Sequence, residues 1–200
     1  MNSVVIAFML WASAVTGAKN RTKATLQQLR EFLNTTETIY VYSTTDPSCI
    51  YDYDNEEEGR PSCMQYRPKV EGDDKYVFNM SYILISTWHT KIFCVELGET
   101  RVLGTPYMMG EWQEGELKEL RLDVYDKKFG CALFFYIQSN GKISHKYCEI
   151  HVQDAEVESY HNKTDDICRQ RAKRICKDQL LYTIYSVNCN PIVTVAAVII

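Results

Sequence analysis

Eight cysteines in a chain of 200 residues constrain this fold more than any other feature, because an uncharged apolar run, Val4 to Val15, precedes all of them. A run of that length, followed by the small residues Thr16, Gly17 and Ala18, is the pattern of a secretory signal peptide, with cleavage expected after Ala18. An even cysteine count in an oxidising compartment then reads as four disulfide bridges. No Cys-x-x-Cys pair supports zinc ligation, so neither a metal site nor a cofactor is expected. Four Asn-x-Ser/Thr sequons, at Asn20, Asn34, Asn79 and Asn162, agree with passage through a pathway that attaches sugars to exposed asparagines. The expected localisation is secreted and extracellular.

Residues 19–200 fall within the span of one ordinary domain, and 46% hydrophobic residues are enough to build its core. A net charge of −4 without a long basic block argues against a nucleic-acid partner, which would require clustered Lys and Arg on phosphates. The one basic patch, Arg169 to Arg174, reads as the solvated face of a helix. The apolar ending from Pro191 to Ile200 is far shorter than the roughly 20 residues that span a bilayer, so no membrane partner is expected either. The expected oligomeric state is a monomer.

Ala24 to Leu33 places Leu26, Leu29, Phe32 and Leu33 at amphipathic spacing, predicting a short leading helix. From Thr38 to Val152 the texture changes to short runs rich in Tyr, Val, Ile and Phe broken by Gly, Pro, Asn and Asp, which is how antiparallel strands read. Eight are expected: Thr38–Ser43, Cys63–Val70, Tyr76–Ser86, Thr90–Leu97, Arg101–Met108, Leu117–Tyr125, Cys131–Gln138 and Ser144–Val152. Eight strands in series make a mainly β, up-and-down antiparallel barrel, wide enough to hold one small ligand. Asp165 to Leu181 then predicts a C-terminal helix, with Cys168, Ala172, Ile175 and Cys176 along one face.

Asn140-Gly141 is the dipeptide that favours a type I′ hairpin turn. A register centred on it sets Cys131 opposite Ile150 and Cys148 opposite Leu133, with all four side chains on one face. The two cysteines are then diagonal neighbours about 7 to 8 Å apart, a poor fit to a disulfide. The helix, with Cys168 and Cys176 about 80° apart around its axis, is therefore expected to be stapled onto this hairpin face. Strand residues alternate between faces, so Ala132, Phe134, Tyr136, His145, Tyr147, Glu149 and His151 would line the lumen. Asn79, a sequon that must face solvent, turns Phe78, Met80 and Tyr82 inward by the same rule. The bland alternative puts Glu149 and His151 on a wet face with Cys148, Ile150 and Val152 in the core, and the cysteine geometry reverses it. A buried Glu149 invites a cationic partner. Tyr40, Tyr42, Tyr82 and Tyr136 are candidate aromatic faces for that cation.

These features resemble the salivary lipocalins of ticks, the group that includes the histamine-binding proteins. The resemblance covers most of the chain and rests on the leading helix, the eight-strand pattern, Lys146–Val152 (KYCEIHV), the Cys-Arg-Gln helix at Cys168, and Cys189 near the C-terminus. The family's biogenic-amine pattern aligns with Cys131, Ala132 and Leu133, then Glu149, Ile150 and His151, then Cys168. Ala132 stands where the family has an acidic residue and His151 where it has an aromatic. The resemblance implies a lipocalin barrel, Glu149 as a ligand carboxylate, Asp46 as a second acidic position after the first strand, and bridges Cys63–Cys189 and Cys131–Cys168. That leaves Cys49, Cys94, Cys148 and Cys176, for which the expected pairing is Cys148–Cys176 and Cys49–Cys94.

The function expected from these residues is stoichiometric sequestration of a small host mediator, first a biogenic amine such as histamine or serotonin, held by Glu149, Asp46, His151, Tyr42, Tyr82, Tyr136, Phe78 and Phe134. Two alternatives stand beside it. A fatty acid or leukotriene would use His151 as its anchor, and a host protein such as a complement component would bind the surface, with the acidic loop Asp52 to Gly59 as contact. No Gly-x-Ser-x-Gly elbow, His-Glu-x-x-His helix or phosphate-cradling glycine loop is present, so no enzyme is expected.

Overall fold

The computed structural model describes residues 23–46, 61–84, 86–113, 116–140, 143–177 and 179–189. The expected signal segment, Asn20, Cys49, the acidic loop Asp52 to Gly59 and the apolar ending lie outside them. The described elements are, in order, α1 (Leu26–Leu33), β1 (Ile39–Thr44), β2 (Ser62–Val70), β3 (Lys75–Leu84), β4 (Thr87–Glu99), β5 (Pro106–Gln113), β6 (Glu116–Asp126), β7 (Cys131–Asn140), β8 (Ile143–Gln153), α2 (Asp154–His161), α3 (Ile167–Ile175) and the two-residue β9 (Tyr182–Thr183). Each of β2 to β7 pairs antiparallel with the next, and β1 pairs with both β8 and β2, closing an eight-stranded barrel. No described helix is long and apolar enough to cross a membrane.

α1 starts where Thr25 accepts from Gln28 N–H while the Gln28 side chain accepts from Thr25 N–H, a reciprocal cap. Its buried face, Leu29, Phe32 and Leu33, closes one end of the barrel, with the Phe32 ring 5.5 Å from Tyr125 and 5.9 Å from Phe134. β1 finishes and β8 begins at the opposite end.

Burial separates into two layers. Inside, Ile39, Val41, Tyr66, Tyr76, Phe78, Met80, Phe93, Val95, Met108, Trp112, Leu120, Leu122, Phe134 and Tyr136 form the lumen core. Outside, Tyr40, Tyr42, Leu133, Ile150 and Val152 meet Val157 and Tyr160 of α2 and Ala172 of α3 in a second core on the barrel wall. Three bridges cross this outer layer: Cys131–Cys168, Cys148–Cys176 and Cys63–Cys189. Cys94 is exposed, pointing outward on β4 between inward Phe93 and Val95, and has no disulfide partner among the described residues; Cys49, its expected partner, lies outside them.

Several expectations are corrected. The hairpin pairs Cys131 with Val152, Leu133 with Ile150 and Asn140 with Ile143, two residues away from the expected register. A two-residue slip keeps every side chain on its original face, so the burial pattern is the same in both registers, and Asn140 itself joins the ladder. Cys131 and Cys148 are no longer diagonal neighbours. β5 runs from Pro106, because residues 101–103 form a turn ending at Gly104 with φ +54°, leaving Val102 and Leu103 exposed. Helix α2 directly continues β8, and α3 ends at Ile175, with Cys176 as its cap, well short of Leu181. The basic patch is only partly solvated: Arg171 makes two bonds to Asp123 on β6, at 2.6 and 2.7 Å, while Arg169 holds Asp166 at 2.6 Å. Both guanidinium groups dock the outer helices.

Beyond α3, β9 takes the edge of β1 at Ser43 and Thr44, where β2 no longer pairs with it. Cys63 N–H donates to the Ile184 carbonyl and Ile184 N–H to the Tyr42 carbonyl, so this segment completes the wall between β1 and β2. Ile184 packs against the lumen core from that position.

Candidate ligand site in the barrel lumen

Alternation on β8 turns Tyr147, Glu149 and His151 inward, between outward Cys148, Ile150 and Val152. Glu149 is 3% exposed and His151 fully buried. Burial of an ionised carboxylate demands partners, and Glu149 has two: Lys118 Nζ donates to Oε1 at 2.7 Å, and His151 Nε2 lies 3.0 Å from Oε2. On the other side of the imidazole, the Tyr66 hydroxyl lies 2.8 Å from Nδ1. A neutral ring that accepts from Tyr66 and donates to Glu149 satisfies every member of this chain.

The electrostatics follow. Burial pushes the Glu149 carboxyl upward, but the Lys118 ammonium and the His151 bond outweigh it and hold the group down at about 2. Burial also dominates at His151 and pushes it below its ordinary value of 6.5, against the pull of Glu149. The imidazole is therefore neutral at pH 7, enclosed, and occupied at both nitrogens. Both of its ring nitrogens are engaged within the protein, by Tyr66 and by Glu149.

Lys118 is the residue that sequence reasoning missed. Its ammonium sits 3.7 Å above the centre of the Tyr136 ring and 5.9 Å from that of Trp112, while touching Glu149. The Tyr136 hydroxyl in turn donates to Asp46 Oδ2. Asp46 owes its position to an irregularity in β1: Val41 pairs with His151, but Ser43 pairs with Ile150 and Thr44 with Glu149. The extra residue re-aims the strand end, so Asp46, 4% exposed, turns inward to the Tyr136 hydroxyl.

Deeper in, Tyr66 and Phe78 stack at 4.6 Å, Trp112 lies 4.8 Å from Phe93, and Phe134 lies 4.7 Å from His151. Nearer the rim, Tyr82 stacks on His89 at 5.3 Å and Tyr136 meets Tyr147 at 5.4 Å. The structure thus places Glu149, His151, Asp46, Tyr82, Tyr136, Phe78 and Phe134 on the inner wall. Tyr42 is the exception. It lies in the outer core, 2.9 Å from His161 Nδ1 through its hydroxyl and 5.4 Å from Tyr185, because Ile39 and Val41 take the inward positions of β1. Tyr40 faces outward for the same reason. The described sequons Asn34, Asn79 and Asn162 are exposed.

Trp112 also went unread, since the expected fifth strand ended before it. Its indole Nε1 is buried with no hydrogen-bond partner among the described residues. A buried, unpaired N–H is costly, and this one sits beside the Lys118 site.

No protein-family model and no curated protein sequence matches this chain. Among solved structures it is similar to the siderocalin Ex-FABP, which functions through dual ligand specificities, at 14% identity and a TM-score of 0.51 over 76% of this chain and 93% of that one. It is also similar to AM182, solved as a serotonin complex, at 13% identity and a TM-score of 0.51 over 78% of this chain and 86% of that one. The closed barrel with its helix packed outside has the lipocalin fold.

Proposed function

We propose that this protein is a secreted salivary lipocalin of the tick type, a single domain over residues 19–200, that sequesters a small host amine such as histamine or serotonin in its lumen. The observation that carries the reading is the Lys118 ammonium. It sits on the Glu149 carboxylate at 2.7 Å and over the Tyr136 ring at 3.7 Å, so a primary ammonium fits this place in both distance and chemistry. An aromatic face beneath a cation contributes about 0.5 to 2 kcal/mol, and the carboxylate adds a charge-assisted hydrogen bond. The serotonin complex of AM182, a structure of similar fold, supports an amine in such a barrel. Secretion is supported by the signal-like leader, the sequons and the three bridges. The action is stoichiometric binding, blunting host inflammatory defence without turnover.

A second reading, a leukotriene or fatty acid, draws its support from Lys118 and from Lys91, whose Nζ donates to the Trp112 carbonyl at 3.3 Å near the mouth. In that case Lys118 would bridge Glu149 and the ligand carboxylate. Titration calorimetry of the disulfide-intact protein with histamine, serotonin and a leukotriene separates the two. Saturable one-to-one heat with an amine supports the first reading; heat with the leukotriene alone replaces it with the second.

A further inference from the structure

We infer that Lys118 is a resident competitor for the lumen site, an internal ammonium that every cationic ligand must evict, and that the site selects ligands by what Lys118 cannot supply. This rests on the amine reading above. Three observations carry it. The first is coincidence of place, since the two groups that would recognise a ligand ammonium, Glu149 and the Tyr136 ring, are both engaged by Lys118. Two ammonium groups cannot share one carboxylate at that depth without mutual repulsion, so occupation is exclusive.

The second is that Lys118 is the part able to move. Glu149 and Tyr136 are 3% and 5% exposed on paired strands. Lys118 stands two residues from the start of β6, at the end away from α1, with its side chain 20% exposed. Its four-carbon stem can swing the ammonium into water by rotamer change, with no shift of the strand.

The third is the Trp112 Nε1–H, buried beside the site with no hydrogen-bond partner among the described residues. A lysine ammonium has only donors and cannot satisfy it. A ligand carrying an ammonium at one end and a hydrogen-bond acceptor, such as a ring nitrogen or hydroxyl, at the other would replace the Lys118 contacts and add one that Lys118 does not make. That difference lets a small ligand displace a tethered one. A plain alkylamine lacks it.

If the Lys118–Glu149 contact is formed about nine times in ten or more, the apparent affinity for an amine is reduced by about tenfold or more, and removing the competitor restores it. The test is calorimetry of wild-type protein and Lys118→Met with histamine, serotonin and butylamine. The expected result is about tenfold tighter binding of all three by Lys118→Met, with butylamine the weakest in both proteins. Equal or weaker amine binding by Lys118→Met than by a binding-competent wild type overturns this inference alone; absence of amine binding in both proteins overturns the amine reading with it. Because Lys118→Met leaves a buried carboxylate without its cation, a second measurement uses the unaltered sequence. With lysines labelled by reductive 13C-methylation, the Lys118 resonance should move to the position of solvent-exposed lysines on saturation with histamine, and a resonance that stays in place while histamine binds contradicts the eviction.

Discussion

The two faces of the β7–β8 hairpin are built from alternate residues of the same strands, yet they do different work. The outward face carries Cys131, Leu133, Cys148, Ile150 and Val152, fully buried under α2 and α3 and covalently tied to α3 and its cap. The inward face carries Phe134, Tyr136, Tyr147, Glu149 and His151, and with Lys118 it holds a buried charge network. The outer layer keeps its ion pairs, Arg169–Asp166 and Arg171–Asp123, at the helices, whereas the inner face carries Glu149 and His151 on the strand itself. A buried ion pair is weak evidence of stabilisation, since apolar residues of similar volume often serve as well.

The largest effect that sharpens this contrast is expected outside. Replacing Cys131 and Cys168 together by Ser opens a 37-residue separation, for which the chain-entropy account gives about 4 kcal/mol of lost stability. Guanidinium unfolding should show that loss, while the refolded protein keeps its affinity for the lumen ligand. A large loss of affinity at unchanged occupancy of the fold would mean that the two faces are coupled.

The next effect lies inside and depends on pH. Glu149 is held at about 2, below its ordinary 4.5, so it contributes stability that is fully present above pH 4.5 and lost as pH falls toward 2, about 3 kcal/mol in all. His151 is also depressed; the unfolded chain takes up its proton first, so stability begins to fall as pH drops below about 6.5. Stability measured from about pH 7 to pH 2 should therefore decline in two stages, and Glu149→Gln should flatten the lower one. An unchanged profile in that variant would place the acid sensitivity elsewhere.

Much of this arrangement was legible in the sequence because strand parity is a strong rule. The outward cysteines and the sequon at Asn79 each fix one face, and from them the inward positions of Glu149, His151, Tyr136, Phe78 and Tyr82 follow. Parity also survived the two-residue register slip, which moves partners but not faces. It failed on β1, where Ile-Tyr-Val-Tyr is buried on both sides and offers no polar alternation, so Tyr42 was read inward when it faces the helices. Lys118 was hidden by its type, since a lysine near a strand end reads as solvated. Its spacing from Leu120 and Leu122, two and four residues on, was the available signal, for both leucines are lumen residues. Trp112 was lost because Val102 and Leu103 imitate a strand, and only the left-handed turn at Gly104 moves β5 along to include it. The completion of the wall by β9 rests on long-range pairing that no local pattern of Tyr182–Thr183 encodes.

The most direct test of the central claim, that an inward Glu149 receives a ligand ammonium, is calorimetric titration of Glu149→Gln with the amine that the wild-type protein binds best, alongside a thermal unfolding scan at neutral pH. Loss of the amine signal by about a hundredfold or more in a protein that still unfolds cooperatively is the predicted result, consistent with about 3 kcal/mol for a buried charge-assisted bond left unmade. Binding at wild-type affinity by the folded Glu149→Gln variant would contradict the account and move the ligand away from this carboxylate.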